Sequence, residues 1–186
     1  MREKILDAAQ SLVEERGLNA VSFQDLANAV GLKKPSLFHH FQNKDALAMA
    51  LLERCRTSYG ERYAKVLDRD ISAPKKLYEI ARLFEEGLKK QQLCLLGALG
   101  GDCATLSTEL ASELRKTTEM SVVRYAAVFE QGRAEGSLEF EGQPKDVAFA
   151  FLAMLQGMQV LSRAKQDESA FGPAAAGFIG SIQAGA

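Results

Sequence analysis

The chain has 186 residues, 47% hydrophobic and 25% charged, the balance of an ordinary globular protein. Its formal net charge of −1 excludes a uniformly basic nucleic-acid binder, so any such function has to reside in a local basic cluster. Cys55, Cys94 and Cys103 are odd in number and lack a C-x-x-C pair, which argues against a disulfide framework or a zinc site.

Residues 3–16 place Ile5, Ala8, Ala9, Leu12 and Val13 on one helical face, with Glu3, Lys4, Asp7, Glu14 and Glu15 elsewhere and Gly17 closing the helix. The N-terminus is charged and amphipathic, unlike a secretory signal. The next stretch, VSFQDLANAVGLKKPSLFHHFQNKDAL, reads as two short helices, a tight turn between them, and the start of a third. Ser22 and Asp25 form an S-x-x-D capping box ahead of Leu26, Ala27 and Val30. Gly31 allows the sharp bend. The second helix opens on Lys33, Lys34 and Pro35, and Leu37, Phe38 and Phe41 are spaced to face inward. Lys33, Lys34, His39, His40 and Lys44 then form a basic cluster with no acid between Asp25 and Asp45. Helix, glycine turn, and a helix with a basic outer face is the helix-turn-helix pattern.

The ordered residues Ile5, Leu6, Ala8, Ala9, Leu12, Gly17, Val21, Ser22, Leu26, Ala27, Ala29, Gly31, Leu32, Leu37, Phe38, His40, Phe41, Asn43, Lys44, Asp45 and Leu47 resemble the N-terminal domain of TetR-family transcriptional repressors. The resemblance covers about the first quarter of the chain. It implies a DNA-binding domain at 1–47 and a helical effector-binding and dimerisation domain at 48–186. Lys33 departs from a position where the family often has serine, and Phe38 from one where it usually has a phosphate-binding tyrosine.

Asn43 is placed to cap a helix running from Lys44 to Leu67 through Leu47, Leu51, Leu52, Tyr59, Tyr63 and Val66, with Gly60 a soft spot. At 1.5 Å per residue such a helix spans roughly 30 Å, a lever out of the head. Residues 75–90 carry the apolar stripe Leu77, Ile80, Ala81, Phe84 and Leu88. Gly97, Gly100 and Gly101 predict a broken helix, and 109–135 a long one. Pro144 opens a helix so apolar that burial on every face is expected, in a core, at an interface or in both. Gln156 and Gln159 interrupt its hydrophobic run, and no stretch of the chain reaches the roughly 20 apolar residues of a membrane span. The tail, 170–182, is rich in glycine and alanine. The fold class expected is all-α, a three-helix DNA head followed by a larger helical domain.

For DNA, Lys34, Pro35 and Ser36 stand where a recognition helix reaches base edges: lysine to guanine, serine to several bases, proline to a thymine methyl. Lys33, Lys44, His40 and the amides beyond Ser22 are the candidates for backbone contact, His39 for a base edge or the backbone, and Phe38, without a hydroxyl, belongs to the DNA-binding segment only through packing. His39 and His40, adjacent on a helix and the sole histidines, point about 100° apart and make a poor metal site. Phe84, Leu88, Tyr125, Phe129, Phe151, Met154 and Met158, with Cys94 and Cys103 beside the glycine-broken segment, are the candidate effector pocket. Few charges fall on these stripes, which favours a lipophilic or aromatic effector. The family pattern implies a homodimer through the last two helices.

The glycines of GALGGD lack phosphate-loop spacing, and neither catalysis nor a cofactor is expected. The reading is therefore a cytoplasmic, homodimeric, effector-released DNA-binding regulator. Two alternatives accompany it: the same head triggered through Cys94 or Cys103, and a helical binding module without DNA function.

Overall fold

The computed structural model describes residues 1–185, with 58–60 described by their backbone alone. The helices run α1 (Arg2–Arg16), α2 (Phe23–Val30), α3 (Lys34–Phe38), α4 (Lys44–Arg54), α5 (Gly60–Leu67), α6 (Ala73–Leu88), α7 (Leu95–Gly101), α8 (Thr108–Ala134), α9 (Pro144–Lys165) and α10 (Phe171–Ser181). A π-helical turn, Cys55–Tyr59, joins α4 to α5, and a 3₁₀ turn, Cys103–Thr105, follows α7. Among the described residues the sole β pairing is one isolated bridge, Leu138 to Gln183. The chain is all-α, as its periodicity indicates.

The chain divides into two compact units, Met1–Gly60 with Gln92–Thr118, and Glu61–Gln91 with Glu119–Ala186. The first unit therefore holds α7 and the start of α8 as well as the N-terminal helices.

In the first unit, α1 buries Ile5, Leu6, Ala9 and Val13 in a core shared with Leu26 and Val30 of α2, Leu37 of α3, and Leu47, Leu51 and Leu52 of α4. Leu95, Leu96 and Leu99 of α7 and Leu110 and Leu114 of α8 complete it. Each of these valine, leucine and isoleucine side chains contributes about 1.5–3 kcal/mol when withdrawn from water, which is what holds helices as short as α2 and α3. Gly17 ends α1 at φ 82, its N–H donating to the Val13 carbonyl at 2.8 Å.

The uninterrupted helix expected from Lys44 to Leu67 does not form. Its interruption is the π-helical turn rather than a bend at Gly60. Thr57 Oγ1 donates to the carbonyls of Glu53 and Arg54 at 3.1 and 3.3 Å, competing for groups the α-helical ladder would use. In the same turn Arg56 is clamped by Glu53 at 2.5 Å and Glu113 at 2.7 Å, and the hydrogen bonds to these two carboxylates raise its pKa. Tyr59, assigned to the apolar face of that helix, has its side chain outside the described residues.

In the second unit, α6, α8, α9 and α10 pack around Ile80, Phe84, Leu88, Phe129, Phe151, Leu155, Phe171 and Ile179. Within a single copy of the chain, α9 is buried on one face. It buries Ala148, Phe151, Leu152, Leu155 and Gln159 and leaves Phe149 59%, Val160 53% and Leu161 64% exposed. By length and composition alone, its 22 residues are long and apolar enough to cross a bilayer in spite of the two glutamines. Its inner face is committed to protein instead: the buried amide of Gln159 donates to the Phe84 carbonyl of α6 at 2.8 Å.

Candidate nucleic-acid interface

The site begins with how α2 starts. Ser22 is extended (φ −98, ψ 159), its hydroxyl oxygen accepts the Asp25 N–H at 3.1 Å, and the Asp25 carboxylate accepts the Ser22 N–H at 2.8 Å. Hydrogen bonds from the Ser22 hydroxyl and then from its backbone N–H hold the Asp25 carboxyl below its ordinary 3.8. The predicted capping box is present. The Ser22 hydroxyl is thus engaged within the chain, leaving the free amides of the first turn of α2 as the groups open to a phosphate.

Gly31 closes α2 in the left-handed region (φ 71, ψ 34), and the Leu32 N–H donates back to the Ala27 carbonyl at 2.9 Å. This turn aims α3, a five-residue helix with Lys33 at its N-cap and Pro35 in its first turn. Leu37 is fully buried and anchors α3, so the neighbouring positions face outward: Lys33, Lys34 and Pro35 are exposed and Ser36 is half-buried.

Phe38 does not face inward with Leu37 and Phe41. It is 47% exposed, one side of its ring lying 4.9 Å from that of Phe23, because α3 ends there and the next inward position passes to Phe41. His39 and His40 are exposed as expected, but they follow α3 as a turn instead of lying on a helix. The His40 N–H donates to the Leu37 carbonyl at 2.9 Å, closing that turn.

Asn43 caps α4 as expected, its side-chain oxygen accepting the Ala46 N–H at 2.8 Å. Lys44 has a role that local spacing does not suggest. Its Nζ donates to the Leu18 carbonyl at 3.2 Å and the Asn19 carbonyl at 3.0 Å, tying the start of α4 to the α1–α2 turn. An ammonium has three donors, so one remains for a phosphate.

Lys33, Lys34, Pro35, Ser36, Phe38, His39 and His40 thus occupy one short outward segment, α3 and the turn after it, with Ser22 and Lys44 at the starts of the flanking helices. Asn19 and its partners Asp102 and Thr105 were missed by the sequence reading. They meet across 83 and 86 positions, and no local pattern encodes that contact.

The predicted effector residues separate into two groups. Phe84, Leu88, Tyr125, Phe129 and Phe151 are buried in the second unit, with Met154 and Met158 half-buried on α9. Ring contacts link Tyr125 to Phe151 at 6.3 Å, Phe129 to Phe151 at 5.9 Å, and both Phe84 and Tyr125 to Tyr63 at 6.4 and 5.9 Å. Tyr63, and Phe178 stacked on Phe151 at 5.8 Å, extend the cluster beyond the residues assigned to the effector pocket from sequence. Cys94 and Cys103 belong to the first unit, at the two ends of α7, half-buried and exposed respectively.

Residues 5–51, which contain this whole helix-turn-helix, match the family model described as bacterial regulatory proteins, tetR family. The matched segment is a TetR-family DNA-binding domain, about a quarter of the chain. The chain is 26% identical over 157 residues to the transcriptional regulator AcuR of Cereibacter sphaeroides, covering 80% of this chain and 70% of that one. It is 25% identical over 171 residues to the transcriptional repressor NemR of Escherichia coli, covering 87% and 83%. A TetR-family regulator from Agrobacterium tumefaciens has the same fold along its length, with a TM-score of 0.92, 24% identity, and coverage of 98% and 97%.

Proposed function

We propose that this protein is a homodimeric TetR-family repressor that reads a near-palindromic operator with α3 and leaves it when a lipophilic or aromatic effector binds. The observation that carries the reading is the N-terminal end of α3, where Lys33, Lys34 and Pro35 are exposed while Leu37 is buried beneath them. A rigid hydrophobic anchor under a basic, outward-facing surface is what major-groove reading requires. Lys34 and Ser36 would meet base edges, and Lys33, Lys44, His40, His39 and the first amides of α2 would meet backbone. Phe38, lacking a hydroxyl, packs on Phe23 and offers an apolar edge. The similarity to NemR, a transcriptional repressor, supports repression as the output.

Dimerisation is supported by the exposed Phe149, Val160 and Leu161 of α9, an apolar surface that a second copy would cover. Two heads would then meet successive major grooves about 34–36 Å apart. The DNA-binding segment is 1–47 and the effector and dimer functions fall in 48–186. The effector would insert into the aromatic cluster around Tyr125, Phe129 and Phe151, with Phe84, Leu88, Met154 and Met158 lining it. A coupling of about 1–3 kcal/mol between effector and operator is the usual allosteric scale.

A second reading is favoured by the exposure of Cys103 at the end of α7: the same head, triggered by covalent modification of that thiol or of Cys94. Serine at both positions separates the two, since an effector response survives it and a thiol response does not.

The deciding experiment is selection of random double-stranded DNA by the purified protein, titrated in salt and read by sequencing. A two-fold-symmetric enriched site, bound less tightly as salt rises, supports the proposal. Absence of enrichment with the thiols reduced would leave a helical binding module without DNA function.

A further inference from the structure

Asp102, the residue that ends α7, holds the turn between α1 and α2 from 83 positions away. Both of its carboxylate oxygens are used: Oδ2 accepts the Asn19 backbone N–H at 3.1 Å and Oδ1 accepts Asn19 Nδ2 at 2.9 Å. The same Asn19 amide donates to Thr105 Oγ1 at 2.7 Å, and that hydroxyl donates to the Asp102 carbonyl at 2.8 Å. On its other side, the Asn19 carbonyl accepts from Lys44 Nζ at 3.0 Å. Gly17 completes the fit: at φ 82 it brings the backbone so close that a Cβ there would stand 3.1 Å from Asp102 Oδ2.

These contacts form a continuous polar chain from the end of α7, through Asp102 and Asn19, to Lys44 at the first position of α4. The turn it grips leads into Ser22, where α2 is capped, so its two outputs are the starts of the helices on either side of α3. The contacts are solvent-exposed, and exposed hydrogen bonds of this kind contribute little net stability because water replaces them. What they supply is direction. A bidentate carboxylate fixes where the turn sits, and any shift of α7 carries the turn and Lys44 with it.

We propose that Asp102 is a positioning residue for DNA binding, a latch through which the placement of α7 sets the starts of α2 and α4 and so the affinity of α3 for its operator. This rests on the DNA-binding function proposed above. Asp102 touches no DNA itself.

The test uses the full-length protein and the DNA fragment that the wild type itself enriches from a random library. Asp102→Ala should weaken binding to that fragment roughly 2- to 30-fold. Asn19→Ala should weaken it less, because its backbone N–H still reaches Asp102. The double variant should bind like Asp102→Ala alone, since both changes open one latch. The melting temperature should stay near that of the wild type, and amide hydrogen exchange at Asn19 should accelerate in Asp102→Ala. Wild-type affinity in Asp102→Ala, or strictly additive losses in the double variant, overturns the proposal. If Asp102→Ala does not fold, Asp102→Asn carries the test: it keeps an oxygen for one of the two bonds and should be intermediate, and wild-type affinity there is equally fatal. If the wild type enriches no DNA, the functional reading fails, and unchanged exchange at Asn19 in the Asp102 variants would then sink the latch on its own.

Discussion

At the scale of single residues, the interface is governed by what each polar group already holds. Lys34 is exposed at the first position of α3, so Lys34→Ala should cost about 1–3 kcal/mol of operator affinity and relax preference at one base pair. Competition binding against point-substituted operators measures both. Lys44 is different, because its ammonium already serves two carbonyls. Lys44→Ala should lower stability as well as affinity, and the slope of log affinity against log salt should become shallower by about one phosphate contact at most. Asp25 carries a pH dependence of defined sign. Its folded-state pKa lies below 3.8, so its contribution is fully present above 3.8 and is lost as pH falls through the lowered folded value. Asp25→Asn should flatten that part of the acid limb of a stability–pH curve followed by circular dichroism.

At the scale of elements, the helices form where composition puts them, but their ends and breaks answer to side chains that reach back to the backbone. The capping box of α2 and the Asn43 cap of α4 were readable because the residues involved are three apart. The π-helical turn was not, because Arg56 is held there in part by Glu113, 57 positions on. Gly132 in α8 is the same kind of case. A Cβ at that position would stand 2.5 Å from Leu138 Cγ and 2.9 Å from the Ala73 Cβ, so α8 can pass the segment bridged to Gln183 only as glycine. Gly132→Ala favours helix intrinsically yet should destabilise the protein by about 1–3 kcal/mol through overpacking, read as a lower denaturant midpoint.

At the scale of the whole molecule, α9 joins stability to assembly. One face is core and the other exposes Phe149 and Leu161. Phe149→Glu with Leu161→Glu should leave helicity intact, since both side chains are already in water. In sedimentation velocity the pair should convert a dimer to monomers, and operator affinity should fall because two heads are no longer linked. The acid side of the stability curve has further contributors in each unit. Glu113, Glu135 and Asp167 all have lowered pKa values, chiefly from the hydrogen bonds of Lys116, Ser137 and Ser169 respectively. Each favours the fold above its ordinary pKa and ceases to do so as pH falls through its lowered one.

The fold class, the helix-turn-helix and most of its outward residues were legible because they depend on short-range order: 3.6-residue periodicity, a capping box, a left-handed glycine, and basic residues without intervening acids. The aromatic cluster was legible in part, through apolar stripes that assign Phe84, Tyr125, Phe129 and Phe151 to it but not the bridging Tyr63 or Phe178. Tertiary structure alone decided the exposure of Phe38, the exposed face of α9, the grouping of α7 with the N-terminal helices, and the Asp102–Asn19 latch. The physical reason is common to all four. Periodicity says that a face is apolar without saying what covers it, and a hydrogen bond between residues 83 positions apart leaves no imprint on the spacing of either.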